Sequence, residues 1–102
     1  MLERSGTEPD IRVEKLYEDA DKTVVMVALR GLNRTTVNHG STTTYEVLSG
    51  NGIMNIDGDV HELSEGVIVT VQAGTPYYDE GHLDMRATSI PPFDIVKVEF
   101  LN

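Results

Sequence analysis

Short apolar runs separated by turn residues about every ten positions are the feature that most constrains the fold of this chain. The runs are rich in Val, Ile, Thr and Tyr, and several alternate apolar with polar side chains, as half-buried strands do. Residues 67–71 are β-branched at every position, which restricts side-chain rotamers in a helix and suits a strand. No window repeats apolar residues at the helical spacing. The pattern predicts an all-β fold.

The turn residues divide the chain into predicted strands. Asp57-Gly58 is typical of a type I′ hairpin, in which both central residues take a positive φ. Residues 49–52, 73–76 and 80–81 are predicted to be further tight connections. The predicted strands are residues 11–17, 23–29, 35–37, 45–48, 53–56, 60–63, 67–71, 83–90 and 95–101. So many short strands in one small domain indicate a closed barrel or a two-sheet jelly roll over residues 11–102, preceded by a flexible lead-in over residues 1–10.

Composition excludes several classes of function. The chain has no Cys, so thiolate chemistry and disulfides are excluded. The net charge of −9 would repel nucleic acid and an anionic membrane surface, so we expect neither as a partner. No apolar run approaches the roughly 18 residues of a membrane span, and no signal-peptide pattern opens the chain. We therefore expect a cytoplasmic protein.

Two glycine-framed stretches, residues 31–50 and 66–81, resemble the two sequence motifs of the cupin superfamily of small jelly-roll barrels. The framing glycines lie at Gly31, Gly50, Gly66 and Gly74, with fifteen residues between the motifs. The segment 90–94 is also similar to the exit segment of many small bacterial cupins. The resemblance extends over residues 22–94 and implies a cupin jelly-roll barrel, or double-stranded β-helix.

The resemblance also implies where a metal would bind and shows that most ligands are missing. A metal-binding cupin supplies three His and one Glu, whereas the matching positions here are Val37, His39, Thr43 and Tyr77. One imidazole, one hydroxyl and one neutral phenol do not make a divalent metal site, so we expect no metal or other cofactor. A frame shifted by two residues would instead offer His39, Ser41 and Glu46. We expect His61 and His82, the latter at a hairpin tip, to be surface residues.

The cavity implied by the resemblance would hold a small polar ligand. Strand alternation predicts that Val37 and His39 share one face with Thr35, and that Thr43 and Tyr45 share one face of the next strand. The resemblance implies that His39 and Tyr77 point inward. With Tyr77, these residues give an imidazole, two phenols, hydroxyls and aliphatic walls, which suits a sugar or a small organic acid. The predicted ligand-binding residues are His39, Tyr77, Thr43, Tyr45 and Val37. The alternative is a filled core in which Val37 occupies the former metal position and His39 bonds to Tyr77 or Thr43.

A second function is an enzyme that uses no metal. Resemblance to keto-sugar isomerases and epimerases of related architecture implies His39 and Tyr77 as acid–base partners. We expect Arg34 and Arg86 to point outward, so no inward Arg would bind a diphosphate. The acidic pairs, Asp79-Glu80 among them, are expected in solvated turns. A metal-dependent dioxygenase would need a ligand set that the sequence does not predict.

The resemblance further implies a homodimer, since small cupins commonly pair. Residues 11–17 are the candidate contact, with Ile11 and Val13 on one face. A barrel with several edge strands is stabilised against aggregation when one edge is covered.

Overall fold

The computed structural model describes residues 10–101, which form an antiparallel β-barrel. The predicted all-β fold is confirmed. Most of the predicted lead-in, residues 1–9, lies outside the described residues, and its last residue, Asp10, already begins the first strand. The strands are β1 (Asp10–Glu18), β2 (Thr23–Leu32), β3 (Thr36–Asn38), β4 (Thr42–Ile56), β5 (Asp59–Ser64), β6 (Ile68–Val71), β7 (Pro76–Ile90) and β8 (Val98–Phe100). One short 3₁₀ turn, Ile95–Lys97, precedes β8, and no helix in residues 10–101 is long and apolar enough to cross a membrane.

Strands β4 and β7, each 15 residues long, organise the barrel. They pair with each other along nearly their whole length, from Thr42 opposite Ile90 to Ile56 opposite Tyr77. The other edge of β7 pairs with β2 and then with β3, while the other edge of β4 pairs with β6 and β5. β1 continues the sheet beyond β2, and β8 continues it beyond β3. All these pairs are antiparallel.

The two long strands curl back on themselves. Tyr45 and Ile56 are eleven residues apart on β4, which would separate them by roughly 36 Å in a straight strand. Yet Ile56 pairs with Tyr77, whose hydroxyl lies 2.7 Å from that of Tyr45. The sheet therefore bends enough to bring the two ends of β4 close together.

Two of the predicted tight turns are wrong, because their glycines lie inside strands. Residues 49–52 lie inside β4, so the predicted strands 45–48 and 53–56 are parts of one strand. Residues 80–81 lie inside β7. Gly81 has φ 138°, and a Cβ there would lie 2.5 Å from the Asn51 carbonyl oxygen and 2.6 Å from the Cα of Gly52. Glycine inside a strand marks a bend or a close backbone approach as well as a turn. The hairpin at Asp57-Gly58, by contrast, is confirmed, with φ 52° and 93°.

One end of the barrel is filled by apolar side chains, and we call it the filled end. Its members are no more than 2% exposed: Leu29, Val47, Met54, Leu63, Leu83 and Met85. Burying each such side chain stabilises the fold by about 1.5–3 kcal/mol. The filled end closes the barrel on one side and leaves the opposite side as a cavity.

Candidate functional site

A cavity of about 1040 Å³ occupies the other end of the barrel. Its wall is apolar along β2, where Val25 and Val27 contribute, and at the start of β8 and just before it, where Val98 and Ile95 contribute. On β4, β7 and the loop after β2 the wall is polar. We call these residues the polar cluster, and they are Asn33, Thr43, Tyr45, Tyr77, Asp79 and Ser89. An apolar wall with a few convergent polar groups is typical of a small-molecule site.

Two tyrosines form the centre of the polar cluster. The hydroxyls of Tyr45 and Tyr77 lie 2.7 Å apart, and their rings are tilted by 52° with centroids 6.0 Å apart. Burial raises the pKa of both phenols, that of Tyr45 well above 10.0, and the nearby Asp79 carboxyl raises them further. Both phenols are therefore neutral at neutral pH. Because one O–H is used in the mutual bond, the other remains able to donate to a ligand.

Asp79 is a buried carboxyl group on the cavity wall, only 3% exposed. The side-chain amide of Asn33 donates to Oδ1 of Asp79 at 3.1 Å, and the backbone N–H of Asn33 donates to the backbone carbonyl of Asp79 at 2.8 Å. Burial raises the pKa of this carboxyl, although the Asn33 bond opposes the rise. A buried acid with a perturbed pKa in a cavity is a candidate functional group.

The sequence prediction for Asp79 was wrong, since it expected a solvated turn. Residue 79 lies inside β7, which begins at Pro76 rather than at Leu83. The missed signal was alternation. Asp79 follows Tyr77 by two positions, so any strand that turns Tyr77 inward also turns Asp79 inward.

The hydroxyl groups of Thr43 and Ser89 complete the polar cluster. They lie 2.9 Å apart on paired positions of β4 and β7, and both residues are buried. Of the predicted ligand-binding residues, Thr43, Tyr45 and Tyr77 are thus brought together around one cavity. Their role in binding stays a prediction.

The expected inward placement of Val37 and His39 was wrong. On the three-residue strand β3 it is Thr36 and Asn38 that line the cavity, so alternation turns Val37 to the opposite side, and His39, which follows the strand, does not line the cavity. Val37 is buried there, and His39 is exposed with its Nε2 3.0 Å from Oε1 of Glu99. His39 therefore bonds to neither Tyr77 nor Thr43.

The side chains that the sequence offered as metal ligands do not come together in a way that fits a divalent metal ion. In the shifted frame, the Ser41 hydroxyl donates to the Pro91 carbonyl at 2.8 Å and Glu46 pairs with Arg86, so neither converges with His39. Within residues 10–101 no group of three or more His, Asp or Glu side chains comes together. His61 and His82 are exposed as expected, but His82 lies inside β7 rather than at a hairpin tip.

The prediction that Arg34 points outward was also wrong, because Arg34 lines the cavity. Its guanidinium carbon lies 4.4 Å from the centroid of the Phe100 ring. Arg86 lies on the outer surface, as predicted, beside Glu46. A cation is therefore available at the cavity, where the sequence predicted none.

Comparisons with known proteins show the fold of this chain. It matches no protein-family model and no curated protein. Among solved structures, a histidine-to-glutamine variant of Streptomyces Pac13 with uridine is 23% identical, with a TM-score of 0.82 over 97% of this chain and 82% of that one. KdgF from Halomonas sp. is 18% identical, with a TM-score of 0.76 over 84% and 83% of the two chains. A salicylate 1,2-dioxygenase variant from Pseudoaminobacter salicylatoxidans is 16% identical, with a TM-score of 0.72 over 78% of this chain and 26% of that one.

Proposed function

The chain has the cupin fold, as its glycine frames predict, and we propose that its cavity binds a small, hydroxylated, sugar-like metabolite. The observation that carries the proposal is the buried carboxyl of Asp79 beside the Tyr45–Tyr77 pair on the wall of a cavity of about 1040 Å³. A chain that needed only a filled core would have apolar side chains at these inward positions.

The polar cluster suits a ligand rich in hydroxyl groups. A ligand O–H can donate to the Asp79 carboxylate, and the free O–H of the tyrosine pair can donate to a ligand oxygen. Thr43 and Ser89 can each donate or accept. The C–H face of a sugar ring would pack on the apolar wall of Val25 and Val27. This division of the cavity orients a ring with one apolar face and one hydroxylated edge.

The structural neighbours support the same class of ligand. One Pac13 structure is described as that of a nucleoside dehydratase, and others contain uridine, a nucleoside with a ribose ring. This chain shares their fold at 20–23% identity. The likeness favours a sugar-containing ligand for the cavity, and the polar cluster supplies the groups to hold it.

A ligand screen tests the proposal. Monosaccharides, nucleosides and hydroxy acids are titrated by ligand-observed NMR against the parent protein and against Tyr77→Phe and Asp79→Asn. We expect each substitution to weaken binding about tenfold, since each removes one hydrogen bond to a bound hydroxyl. Tyr17→Phe is the matched control, because Tyr17 is exposed on β1 and does not line the cavity. Equal affinity in Tyr77→Phe, Asp79→Asn and the control would contradict the proposal.

A metal-independent isomerase or epimerase acting on a keto-sugar is the second candidate function. The sequence suggested His39 and Tyr77 for it, but His39 is outside the cavity, so the acid–base pair would be Asp79 and Tyr77. Both lie on the inward face of β7, two positions apart. Asp79 would accept the proton from the carbon beside the carbonyl group, and the Tyr77 O–H would donate to the carbonyl oxygen as negative charge develops there. With the Tyr77 proton on the carbonyl oxygen an enediol forms, and the Asp79 carboxylic acid would then return its proton to the former carbonyl carbon. The Tyr77 phenolate would take the hydroxyl proton from the neighbouring carbon, which becomes the new carbonyl group, so both side chains regain their starting state.

Proton exchange distinguishes binding from catalysis. In D₂O, an isomerase would introduce deuterium at the carbon beside the carbonyl of a bound ketose, and ¹H NMR would report the loss of that signal. We expect Asp79→Asn to abolish the exchange, because an amide is not a base at neutral pH. Ligand binding without deuterium exchange in the parent protein would contradict the isomerase or epimerase function and support binding only.

We also propose that the protein forms a homodimer through β1. Within residues 10–101 this strand pairs only with β2, and Ile11 and Val13 on one face are 41% and 62% exposed. A second copy seated on β1 would cover them. Light scattering at micromolar concentration tests this, with Val13→Glu expected to shift the protein toward a monomer. A monomeric parent protein would contradict it.

A further inference from the structure

Arg34 differs from the other arginines of the described part of the chain. Arg12, Arg30 and Arg86 each lie within ion-pair distance of a carboxylate. Arg34 has no carboxylate partner among residues 10–101, although acidic residues outnumber basic ones 17 to 8 in the chain. It also lines the cavity, where an incoming group can reach it.

A carboxylate is near Arg34, yet the two do not pair. Thr36 is opposite Tyr77 in the β3–β7 register, and the Asn33 N–H donates to the Asp79 carbonyl, so the backbone of Arg34 lies beside that of Asp79 on the neighbouring strand. The guanidinium instead lies over the Phe100 ring, with Cζ 4.4 Å from its centroid, and Asp79 is held by Asn33. Stacking on an aromatic ring fixes the plane of a guanidinium and leaves its N–H groups free to donate along the edge.

We propose that Arg34 binds a carboxylate of the ligand, so that the metabolite is a hydroxylated carboxylic acid such as a sugar acid. This inference rests on the proposed binding function and names the class of ligand. The ligand carboxylate binds at Arg34 on the Phe100 side of the cavity, and the ligand hydroxyls bind at Asp79 and the tyrosine pair.

The charges of the cavity favour a carboxylate over a phosphate. Arg34 is the one Arg or Lys that lines it among the described residues, whereas Asp79 and Glu80 also lie on its wall. A single cation balances one negative charge, and the second charge of a phosphate would meet those carboxyl groups without compensation. The planar fork of a guanidinium also matches the two oxygens of a carboxylate.

Matched sugars test the inference. D-galacturonate and D-glucuronate are titrated calorimetrically beside D-galactose and D-glucose, which differ from them only in carrying a hydroxymethyl group in place of the carboxylate. The hexose 6-phosphates form a third arm. We expect the uronates to bind at least about tenfold more tightly than the hexoses, as a charge-assisted hydrogen bond allows.

The variants separate this inference from the proposed function. Arg34→Gln should remove the preference and bring uronate affinity to that of the hexose, with Arg34→Lys intermediate. Arg86→Gln, which removes the same charge from the outer surface, should change neither. Asp79→Asn should weaken both sugars alike, which reports on the proposed function. Thermal unfolding of each variant verifies that it is folded.

Three results with the parent protein and Arg34→Gln would overturn the inference while the binding function stands. They are equal affinity of the parent protein for uronate and hexose, an unchanged preference in Arg34→Gln, and tighter binding of the 6-phosphates than of the uronates. An equal loss of uronate affinity in Arg86→Gln would also overturn it, since overall charge would then explain the preference. Binding of none of these sugars at concentrations up to about 10 mM, where even weak specific binding is detectable, would overturn the inference, and the absence of binding by nucleosides and hydroxy acids as well would overturn the proposed function.

Discussion

The filled end and the cavity are built from the same two long strands but carry different inward side chains. At the filled end, the inward positions of β4 and β7 hold Val47, Leu83 and Met85, each no more than 1% exposed. Around the cavity, the same alternation brings Tyr45 and Asp79 inward. The backbones of β4 and β7 pair in both regions, with one register shift between Val47 and Ser49. The difference shows that the strands determine which residues face inward, while the side chains determine whether the interior is filled or open.

The two regions also differ in what they contribute energetically. Apolar burial at the filled end stabilises the fold. At the cavity, burial of Asp79 raises its pKa, so the charged form of this group opposes folding. A residue kept at a cost to stability in a cavity is expected where function requires it.

The largest effect is expected at Gly81, where β7 passes from the cavity to the filled end. Gly81→Ala would place a Cβ 2.5 Å from the Asn51 carbonyl oxygen at a positive φ, so we expect a loss of about 4 kcal/mol or more of unfolding free energy. Gly74→Ala is the matched control, with φ 83° and no atom within 4 Å of the added Cβ, and should lose about 1–2 kcal/mol. Denaturant titration measures both, and similar losses would show that the close approach does not matter.

One substitution made in both regions tests the contrast in packing. Val47→Ala at the filled end should cost about 2–3 kcal/mol, because the two lost methyl groups leave an enclosed void. Val25→Ala on the half-buried cavity wall should cost about 1 kcal/mol, since no new enclosed void forms there. Equal changes in denaturant midpoint at an unchanged slope would contradict the division of the barrel into filled and open ends.

Asp79→Asn should stabilise the protein at neutral pH, because burial opposes the charged carboxylate and the amide carries no charge. The folded-state pKa of Asp79 is raised above 3.8, so its contribution favours folding below that pH and is lost as the pH rises through the raised value. The variant should therefore match the parent protein in acid and exceed it above that window. Unfolding free energies from about pH 3 to about pH 8 test this. Glu62→Gln, on the exposed side of β5, should show no such divergence.

The smallest effect is expected at His39. Its contact with Glu99 joins two half-exposed side chains, so His39→Ala should change the unfolding free energy by no more than about 0.5 kcal/mol. Ligand affinity and any proton exchange should be unchanged, because His39 does not line the cavity. A loss of binding or exchange in a folded His39→Ala variant would contradict this prediction and support His39 and Tyr77 as the functional pair.

Local patterns predicted much of the barrel but not the orientation of its shortest strand. The β-branched runs and the Asp57-Gly58 hairpin were correct, because they depend on neighbouring residues. On β3, which has three residues, alternation has no long run to fix its phase, and His39 was assigned to the wrong side. Asp79 was missed for a related reason. The sequence predicts a tight connection at Gly81, and the alternation of inward residues that runs from Tyr77 to Leu83 was therefore missed.

The sequence by itself determined the all-β class and the cupin motif frames, because turn chemistry and side-chain alternation act over a few residues. Only the tertiary structure decided that Tyr45 meets Tyr77 and that Arg34 faces the cavity and Phe100. Those contacts join residues 32 or more positions apart through the curl of β4 and β7 and the pairing of β3. Such distances depend on how the whole sheet bends, and no local pattern encodes that bend.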